Sequence, residues 1–157
     1  MLRLGLALAT FTAIADQATK LVFFRYLVEG GRPLVEVLPF FNLVTVWNYG
    51  ASFGMFNSGS RSGSAVFVVL AVIIVAALVV WLRKAETRTL AVALGLVIGG
   101  AAGNVIDRLR FGAVFDFLDF HALGWHWPAF NLADSAISVG VGLLLIDTLS
   151  AGRRSIK

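Results

Sequence analysis

Five aspartates stand close to long apolar segments of this sequence, where an isolated charge is costly. They are Asp16, Asp107, Asp116, Asp119 and Asp134. Two carboxyl groups held close together share one proton, because both cannot ionise cheaply at short range. The ionised member can deprotonate a water molecule while the protonated member polarises a peptide carbonyl group. These residue types allow the chemistry of an aspartic hydrolase, although the sequence alone does not prove it.

Other kinds of catalytic site have less support. The chain has no cysteine, which excludes thiol catalysis, and it has no HExxH, GxSxG or phosphate-loop motif. His121 and His126 could join Asp116 and Asp119 around a metal ion, but their spacing matches no common zinc motif. We therefore expect neither a metal nor another cofactor.

The composition is that of an integral membrane protein. Of 157 residues, 59% are hydrophobic and 14% are charged, whereas soluble domains have about 45–50% and about 25%. Much of the net charge of +4 lies in short basic runs beside apolar segments, as the positive-inside rule expects. No basic face interleaved with aromatic residues is visible, so we expect no nucleic-acid partner.

Four apolar segments are long enough to cross a bilayer, which takes roughly 20 residues. They cover residues 4–24, 64–82, 89–106 and 133–149. We therefore predict an all-α integral membrane protein with four transmembrane helices in one membrane-embedded domain, residues 1–157. The first segment also resembles a cleavable secretory signal, with Arg3 before an apolar run and small residues before Asp16. Apolar residues resume after Lys20, so we favour a retained helix.

Basic residues predict the orientation of these segments. The link 83–88, the carboxyl-terminal tail and Arg3 carry excess positive charge and should face the cytoplasm. The links 25–63 and 107–132 are longer and nearly charge-balanced, so both should face outward. In the link 25–63, β-branched and aromatic residues partly alternate with other residues at 42–47, which predicts a short strand or hairpin. That link can serve as a surface cap or as a cradle for an extended peptide.

Structural roles can explain several polar residues near the membrane. Asp16 and Lys20 are four residues apart on one helical face, so they can form an ion pair. Asn104 and Asp107 share a face at the outer end of the third segment, where Arg108 is the natural partner of a carboxylate. A scaffold of hydrogen bonds accounts for these residues without catalysis.

The remaining acids also have structural explanations. Asn131 can cap the fourth helix, and Asp134 in its first turn favours the helix dipole. Asp116 can lie on the polar side of an interfacial strand or helix turn, and Asp119 should be more easily solvated. Capping does not explain why all five aspartates fall in the outer half of the bilayer or at its outer boundary.

Three functions from different classes fit these features. Acids clustered at one depth favour a hydrolase that acts at the outer membrane surface. A proton-coupled transporter would place acids near the midplane or strung across the membrane, and its substrate-dependent proton flux would identify it. If the chain were an assembly protein, Asp-to-Asn substitutions would weaken its hold on a partner. No hydrolytic activity would be lost. The one-sided acids and large outer links favour the hydrolase.

Five sequence blocks in order along the chain resemble the bacterial lipoprotein signal peptidase family, also called signal peptidase II. The blocks are DQATK at 16–20, NYGASFG at 48–54, GGAAGNVIDR at 99–108, VFDFLDF at 114–120 and PAFNLADSAI at 128–137. One such block would be weak support. Five in order with the matching topology are specific, and they cover the chain from the first segment to the fourth.

The resemblance implies a metal-independent aspartic endopeptidase of the bacterial inner membrane, with both termini in the cytoplasm and the active site at the outer face. It implies four transmembrane helices with a small extracytoplasmic β-sheet cradle. The expected substrate is a prolipoprotein whose cysteine carries a diacylglyceryl group, cut just before that cysteine in contact with membrane lipid. The cyclic peptide globomycin is the expected inhibitor, and we expect a monomer.

The resemblance also implies which residues act. The catalytic pair carries over to Asp116 and Asp134. We expect Arg108 to neutralise Asp107 at the end of the third helix. Positions that match supporting or substrate-contacting residues are Asp16, Lys20, Asn48, Gly50, Asn104, Asp107, Arg108, Asn131 and Ala133.

Overall fold

The computed structural model describes residues 1–50 and 61–155, and the side chains of residues 1–50 and 64–149. In these residues the chain forms four long helices and one four-stranded sheet. The helices are α1 (Leu2–Phe23, continued by a π-helical segment, Phe24–Glu29), α2 (Arg61–Arg83), α3 (Arg88–Phe111) and α4 (Leu132–Ser155). The strands are β1 (Leu34–Leu38), β2 (Phe41–Asn48), β3 (Val114–Ala122) and β4 (Trp125–His126).

The four helices are long and apolar enough to cross a membrane, which confirms the four predicted segments. The candidate spans are Leu2–Glu29, Ser64–Arg83, Arg88–Phe111 and Leu132–Leu149. Two predicted boundaries were too early, because the first helix continues to Glu29 and α3 continues to Phe111. Gly112, with a φ of 77°, ends α3 and donates its N–H to the carbonyl oxygen of Arg108. Asp107 and Arg108 therefore lie on a helix and not in the outer link.

The central helix is α3, which packs against the other three. Its glycines allow the backbones to approach closely. A Cβ atom added at Gly95 would lie 2.7 Å from the carbonyl oxygen of Gly5, and one added at Gly99 would lie 2.5 Å from that of Ala9. The part of α1 that precedes Asp16 is thus packed into the bundle.

The sheet has the order β1-β2-β3-β4, and each neighbouring pair is antiparallel. The predicted strand at residues 42–47 is confirmed by β2. Two further strands, β3 and β4, come from the second outer link, so the prediction of an all-α protein was too narrow. Most of β3 is buried on both faces, and such a strand has no clear alternation of apolar and polar residues.

Aromatic packing joins the sheet to the helices. The ring of Phe117 stacks on Phe23 with centroids 4.6 Å apart, and the ring of Phe115 meets the edge of Phe24 at 6.0 Å. Leu27 of the π-helical segment is buried in the same cluster. Since successive strand side chains point to opposite faces, this packing directs the residue between the two β3 phenylalanines away from α1.

The close approach of α1 and α3 can be tested at Gly99. We expect Gly99→Ala to lower the free energy of unfolding by about 1–3 kcal/mol, because the new methyl group meets backbone atoms of α1 that cannot move aside. Gly142→Ala on α4 is the matched control, since a Cβ atom there meets nothing within 4 Å. Thermal unfolding in detergent measures both. Equal unfolding temperatures for the two variants would contradict the packing described here.

Candidate active site

Asp116 lies at the centre of a polar cluster between β3 and the start of α4. Its side chain is buried, with 1% of the residue exposed. The Nδ2 group of Asn131 donates a hydrogen bond to Oδ1 of Asp116 at 2.6 Å, and the Nδ2 group of Asn48 donates to Oδ2 at 3.1 Å. Both oxygens of this carboxyl group are therefore held by neutral amides.

A bulge in β2 brings Asn48 to the correct face of the sheet. Leu43 pairs with Leu118, but Val46 pairs with Asp116, so β2 has one extra residue between these positions. With regular pairing Asp116 would stand opposite residue 45, and Asn48 would point to the other face. The bulge places Asn48 on the same face as Val46, within reach of Asp116.

Asp134 lies in the first turn of α4 and forms a reciprocal cap with Asn131. Oδ1 of Asn131 accepts a hydrogen bond from the backbone N–H of Asp134 at 3.0 Å, and Oδ2 of Asp134 accepts one from the backbone N–H of Asn131 at 3.3 Å. This confirms the predicted cap. Asn104 also donates to Oδ1 of Asp134 at 2.8 Å. Asn131 thus contacts both candidate catalytic aspartates.

The environment of Asp116 favours its protonated form. Burial, and next the negative charge of Asp134, raise the pKa of Asp116 to about 7. The hydrogen bonds from Asn48 and Asn131 and the charge of Lys20 act in the opposite direction but do not cancel this rise. Near neutral pH, Asp116 can therefore either hold or release a proton, as an acid–base catalyst must.

A buried lysine supports the elements that carry this pair. The Nζ group of Lys20 lies 3.0 Å from Oδ2 of Asp16 and 2.8 Å from Oδ2 of Asp107. The predicted Asp16–Lys20 ion pair is thus confirmed, and the lysine also serves a second carboxylate. Lys20 donates a further hydrogen bond to Oδ1 of Asn104 at 3.0 Å. Asp16 in turn accepts from the backbone N–H of Ala133, at the start of α4, at 2.9 Å.

Asp107 connects the lysine to β3. Its Oδ2 accepts a hydrogen bond from the backbone N–H of Phe115, next to Asp116, at 3.1 Å. Its Oδ1 accepts one from Nε2 of Gln17 at 2.9 Å. Gln17 was missed in the sequence, although an amide inside an apolar helix is a recognisable sign of hydrogen bonding between helices.

The expectation that Arg108 neutralises Asp107 was wrong. Among the described residues, the ion-pair partner of Asp107 is Lys20, on the neighbouring helix. The guanidinium group of Arg108 instead lies 5.5 Å from the ring centroid of Phe67, with one weak hydrogen bond of 3.5 Å to the carbonyl oxygen of Asn104. It also lines a cavity of about 430 Å³ between the outer ends of α2 and α3.

The expectation of a solvated Asp119 was also wrong. Asp119 is 6% exposed, and it accepts hydrogen bonds from Nδ2 of Asn42 at 3.0 Å and from Nδ1 of His126 at 2.9 Å. Burial raises the pKa of Asp119, but the hydrogen bonds from His126 and Asn42 outweigh this and lower it overall. The ring of His121 stacks on that of His126. In the part of the chain that the structure describes, no group of three or more His, Asp or Glu residues is arranged to hold a metal ion.

Gly50 ends the described part of the first outer link. Its backbone N–H donates to Oδ1 of Asn48 at 3.2 Å, and a Cβ atom added there would lie 2.7 Å from the ring of Phe67. A larger residue at this position would therefore require the ring of Phe67 to move. The rest of the NYGASFG block, residues 51–54, lies outside the described residues.

Comparisons with known proteins show what this chain is similar to. The family model described as Signal peptidase (SPase) II matches residues 8–150. A lipoprotein signal peptidase of Methylobacterium sp. (strain 4-46) is 46% identical over 146 residues, covering 93% of this chain and 88% of that protein. One of Methylobacterium radiotolerans is 44% identical over 153 residues, covering 97% and 89%. A solved structure of a bacterial membrane enzyme is similar with a TM-score of 0.76 and 35% identity, covering 93% of this chain and 87% of that one.

The dependence of the cluster on Lys20 can be tested by removing its charge. Lys20→Met leaves two buried carboxylates without a cation, and we expect a loss of about 3–5 kcal/mol in the free energy of unfolding. The double variant Lys20→Met/Asp107→Asn should recover part of the loss, since one charge is then removed with its partner. Thermal unfolding measures both, with Lys84→Met at an exposed position of the link 83–88 as control. A double variant no more stable than the single one would argue against charge compensation by Lys20.

Proposed function

The chain belongs to the signal peptidase II family, and from this membership we propose that it removes the signal peptide from bacterial prolipoproteins. It is a peptidase, as its relatives along nearly the whole chain are. The substrate in this proposal is a prolipoprotein whose cysteine carries a diacylglyceryl group. The enzyme cuts the peptide bond just before that cysteine.

In this proposal Asp116 and Asp134 are the catalytic pair. The observation that carries the assignment is that Asn131 donates to Asp116 while it caps the helix at Asp134. The charge of Asp134 also contributes to the pKa of about 7 at Asp116. The two carboxyl groups thus share one environment.

In the proposed mechanism, Asp116 and Asp134 hold one proton between them before hydrolysis begins. Asp134, ionised, takes a proton from a water molecule, and the resulting hydroxide forms a bond to the carbonyl carbon of the peptide. Asp116, protonated, gives its proton to the carbonyl oxygen as the tetrahedral intermediate forms. The carbon–nitrogen bond then breaks, the leaving amine takes the proton that Asp134 received, and the hydroxyl proton returns to Asp116. This chemistry uses the carboxyl groups themselves and needs no metal.

The cavity between the outer ends of α2 and α3 is our candidate for the lipid part of the substrate. Its walls include Val68, Val69 and Leu109, which are apolar and suit acyl chains. Arg108 lines this cavity, and Asp134 and Asp116 lie near enough for their charges to act on its guanidinium group. Lipid bound here would therefore lie beside the catalytic pair, with the signal helix approaching from the bilayer.

We propose an inner-membrane location with both termini in the cytoplasm and the catalytic pair at the outer face. The basic residues of the 83–88 link and the tail support this orientation. The sheet then lies outside the bilayer and acts as the cradle for the extended peptide. In this proposal Asn48 and Arg108 contact the substrate, and Gly50 keeps Asn48 in place. A monomer contains the whole site, and a globomycin-type cyclic peptide would compete with the substrate there.

The catalytic assignment predicts the loss of cleavage in two variants. Asp116→Asn and Asp134→Asn should each lower the rate by at least about 100-fold, because an amide can neither accept nor supply the shared proton. Purified protein in liposomes is assayed with the lipidated prolipoprotein and its unlipidated form, with chelator throughout. Only the lipidated form should be cut.

Asp147→Asn is the matched control, since Asp147 lies on the same helix as Asp134 and its carboxylate accepts a hydrogen bond from Thr87. It should retain activity. Full activity of either Asp116→Asn or Asp134→Asn would disprove the pair, and loss of wild-type activity to chelator alone would reopen a metal mechanism. Equal unfolding temperatures show that the inactive variants are folded.

The raised pKa of Asp116 predicts a particular pH dependence. Activity should fall as the pH rises through about 7, because Asp116 then loses the proton that it gives to the carbonyl oxygen. The hydrogen bond from Asn48 favours the ionised form, so Asn48→Ala should move this alkaline limb to higher pH. Profiles of kcat/KM against pH measure both. An alkaline limb at the same pH in Asn48→Ala would show that another group is responsible.

A further inference from the structure

A groove between α1 and α3 adjoins the Lys20–Asp107 ion pair, and neither Asp116 nor Asp134 lines it. Two adjoining cavities form it, and both are lined by Gln17, Leu21 and Arg110, so the groove is continuous. The cavity nearer the middle of α1, of about 450 Å³, has mainly apolar walls. These walls include Ala13, Ile14, Ala18, Leu21 and Ile106.

The outer end of the groove carries charge. Arg25, Glu29 and Arg110 line it, and all three are exposed. The ion pairs among the described residues join Lys20 to Asp16 and Asp107 and join His126 to Asp119. The two arginines and the glutamate at the groove therefore take part in none of them. Phe111 supports Arg110, whose guanidinium carbon lies 4.9 Å from the ring centroid.

The length of the groove matches one leaflet of a bilayer. Ala13 and Arg25 are twelve residues apart on a helical segment, which is about 18 Å at 1.5 Å per residue. Half of a hydrocarbon core of about 30 Å is about 15 Å. An acyl chain that begins below Arg25 would thus end near Ala13, and the charged end would lie at the headgroups.

We propose that this groove binds one glycerophospholipid of the outer leaflet, with its phosphate between Arg25 and Arg110 and an amine-bearing headgroup at Glu29. Arginine donates paired hydrogen bonds that suit phosphate oxygens. A primary ammonium group can donate to the Glu29 carboxylate, so the three charged side chains complement a zwitterionic ethanolamine headgroup. The acyl chains lie along the apolar walls. The site is distinct from the proposed peptidase site, because none of its residues donates a hydrogen bond to Asp116 or Asp134.

The test measures lipid binding and does not depend on peptidase activity. Delipidated full-length protein in detergent is titrated with dioleoyl phosphatidylethanolamine, and native mass spectrometry counts the bound molecules. We expect one retained lipid, with binding about tenfold weaker for dioleoyl glycerol, which lacks the phosphate. Equal retention of dioleoyl glycerol would overturn the phosphate assignment.

Matched variants locate the lipid. Arg110→Gln should weaken binding of the phospholipid about tenfold, whereas Arg88→Gln, at the opposite end of the same helix, should not. Ala18→Phe fills the apolar wall and should also weaken binding, whereas Val72→Phe on the exposed face of α2 should not. Equal effects within either pair of variants would mean that the lipid binds elsewhere or without a defined site.

Headgroup choice tests the role of Glu29. Phosphatidylethanolamine should bind more tightly than phosphatidylglycerol of the same acyl chains, and Glu29→Gln should remove the difference. Tighter binding of phosphatidylglycerol to the wild-type protein would overturn the assignment of an amine-bearing headgroup.

Discussion

Two buried carboxylates share the ammonium group of Lys20, and both reach elements that carry the proposed catalytic pair, Asp116 and Asp134. Taking such charges out of water costs several kcal/mol each unless they are paired and hydrogen-bonded. Asp16 holds the start of α4 through the N–H of Ala133, and Asp107 holds β3 through the N–H of Phe115. Both contacts depend on charges that Lys20 compensates at 3.0 and 2.8 Å. Three helices and one strand therefore meet at a single cation.

Lys20 contacts Asn104 and not the proposed catalytic aspartates, and this arrangement has a chemical consequence. Neutral amides from Asn48 and Asn131 hold Asp116, and the charge of Lys20 is the weakest of the influences on its pKa. An ammonium group in direct contact would favour the ionised carboxylate and lower the pKa well below 7. Lys20 instead contacts Asn104, whose other end donates to Asp134. The asparagines thus hold Asp116 and Asp134 in place, and because they are neutral they do not force Asp116 to stay ionised.

The sequence predicted the elements that depend on local pattern better than it predicted the contacts. Hydropathy identified the four helices, and spacing identified the Asp16–Lys20 pair and the cap at Asn131. At Asp116 the sequence left a strand and a helix turn as alternatives, because burial of β3 on both faces removes the alternation that marks a strand. Arg108 was paired with the wrong partner because neighbours in sequence on a helix point in different directions. The burial of Asp119 depends on Asn42 of β2, which is distant in sequence.

The two parts of the fold contribute different properties to the site. The helices supply position, because α3 presents Asn104 and α4 presents Asp134, with Asn131 as the cap of α4. The sheet contributes to burial, because Asp116 belongs to the buried part of β3, and burial is the largest cause of its raised pKa. The aromatic packing of β3 on the end of α1 holds Asp116 in this buried position. The proposed hydrolysis therefore depends on both parts of the fold, the helix bundle and the sheet that the links 25–63 and 107–132 form.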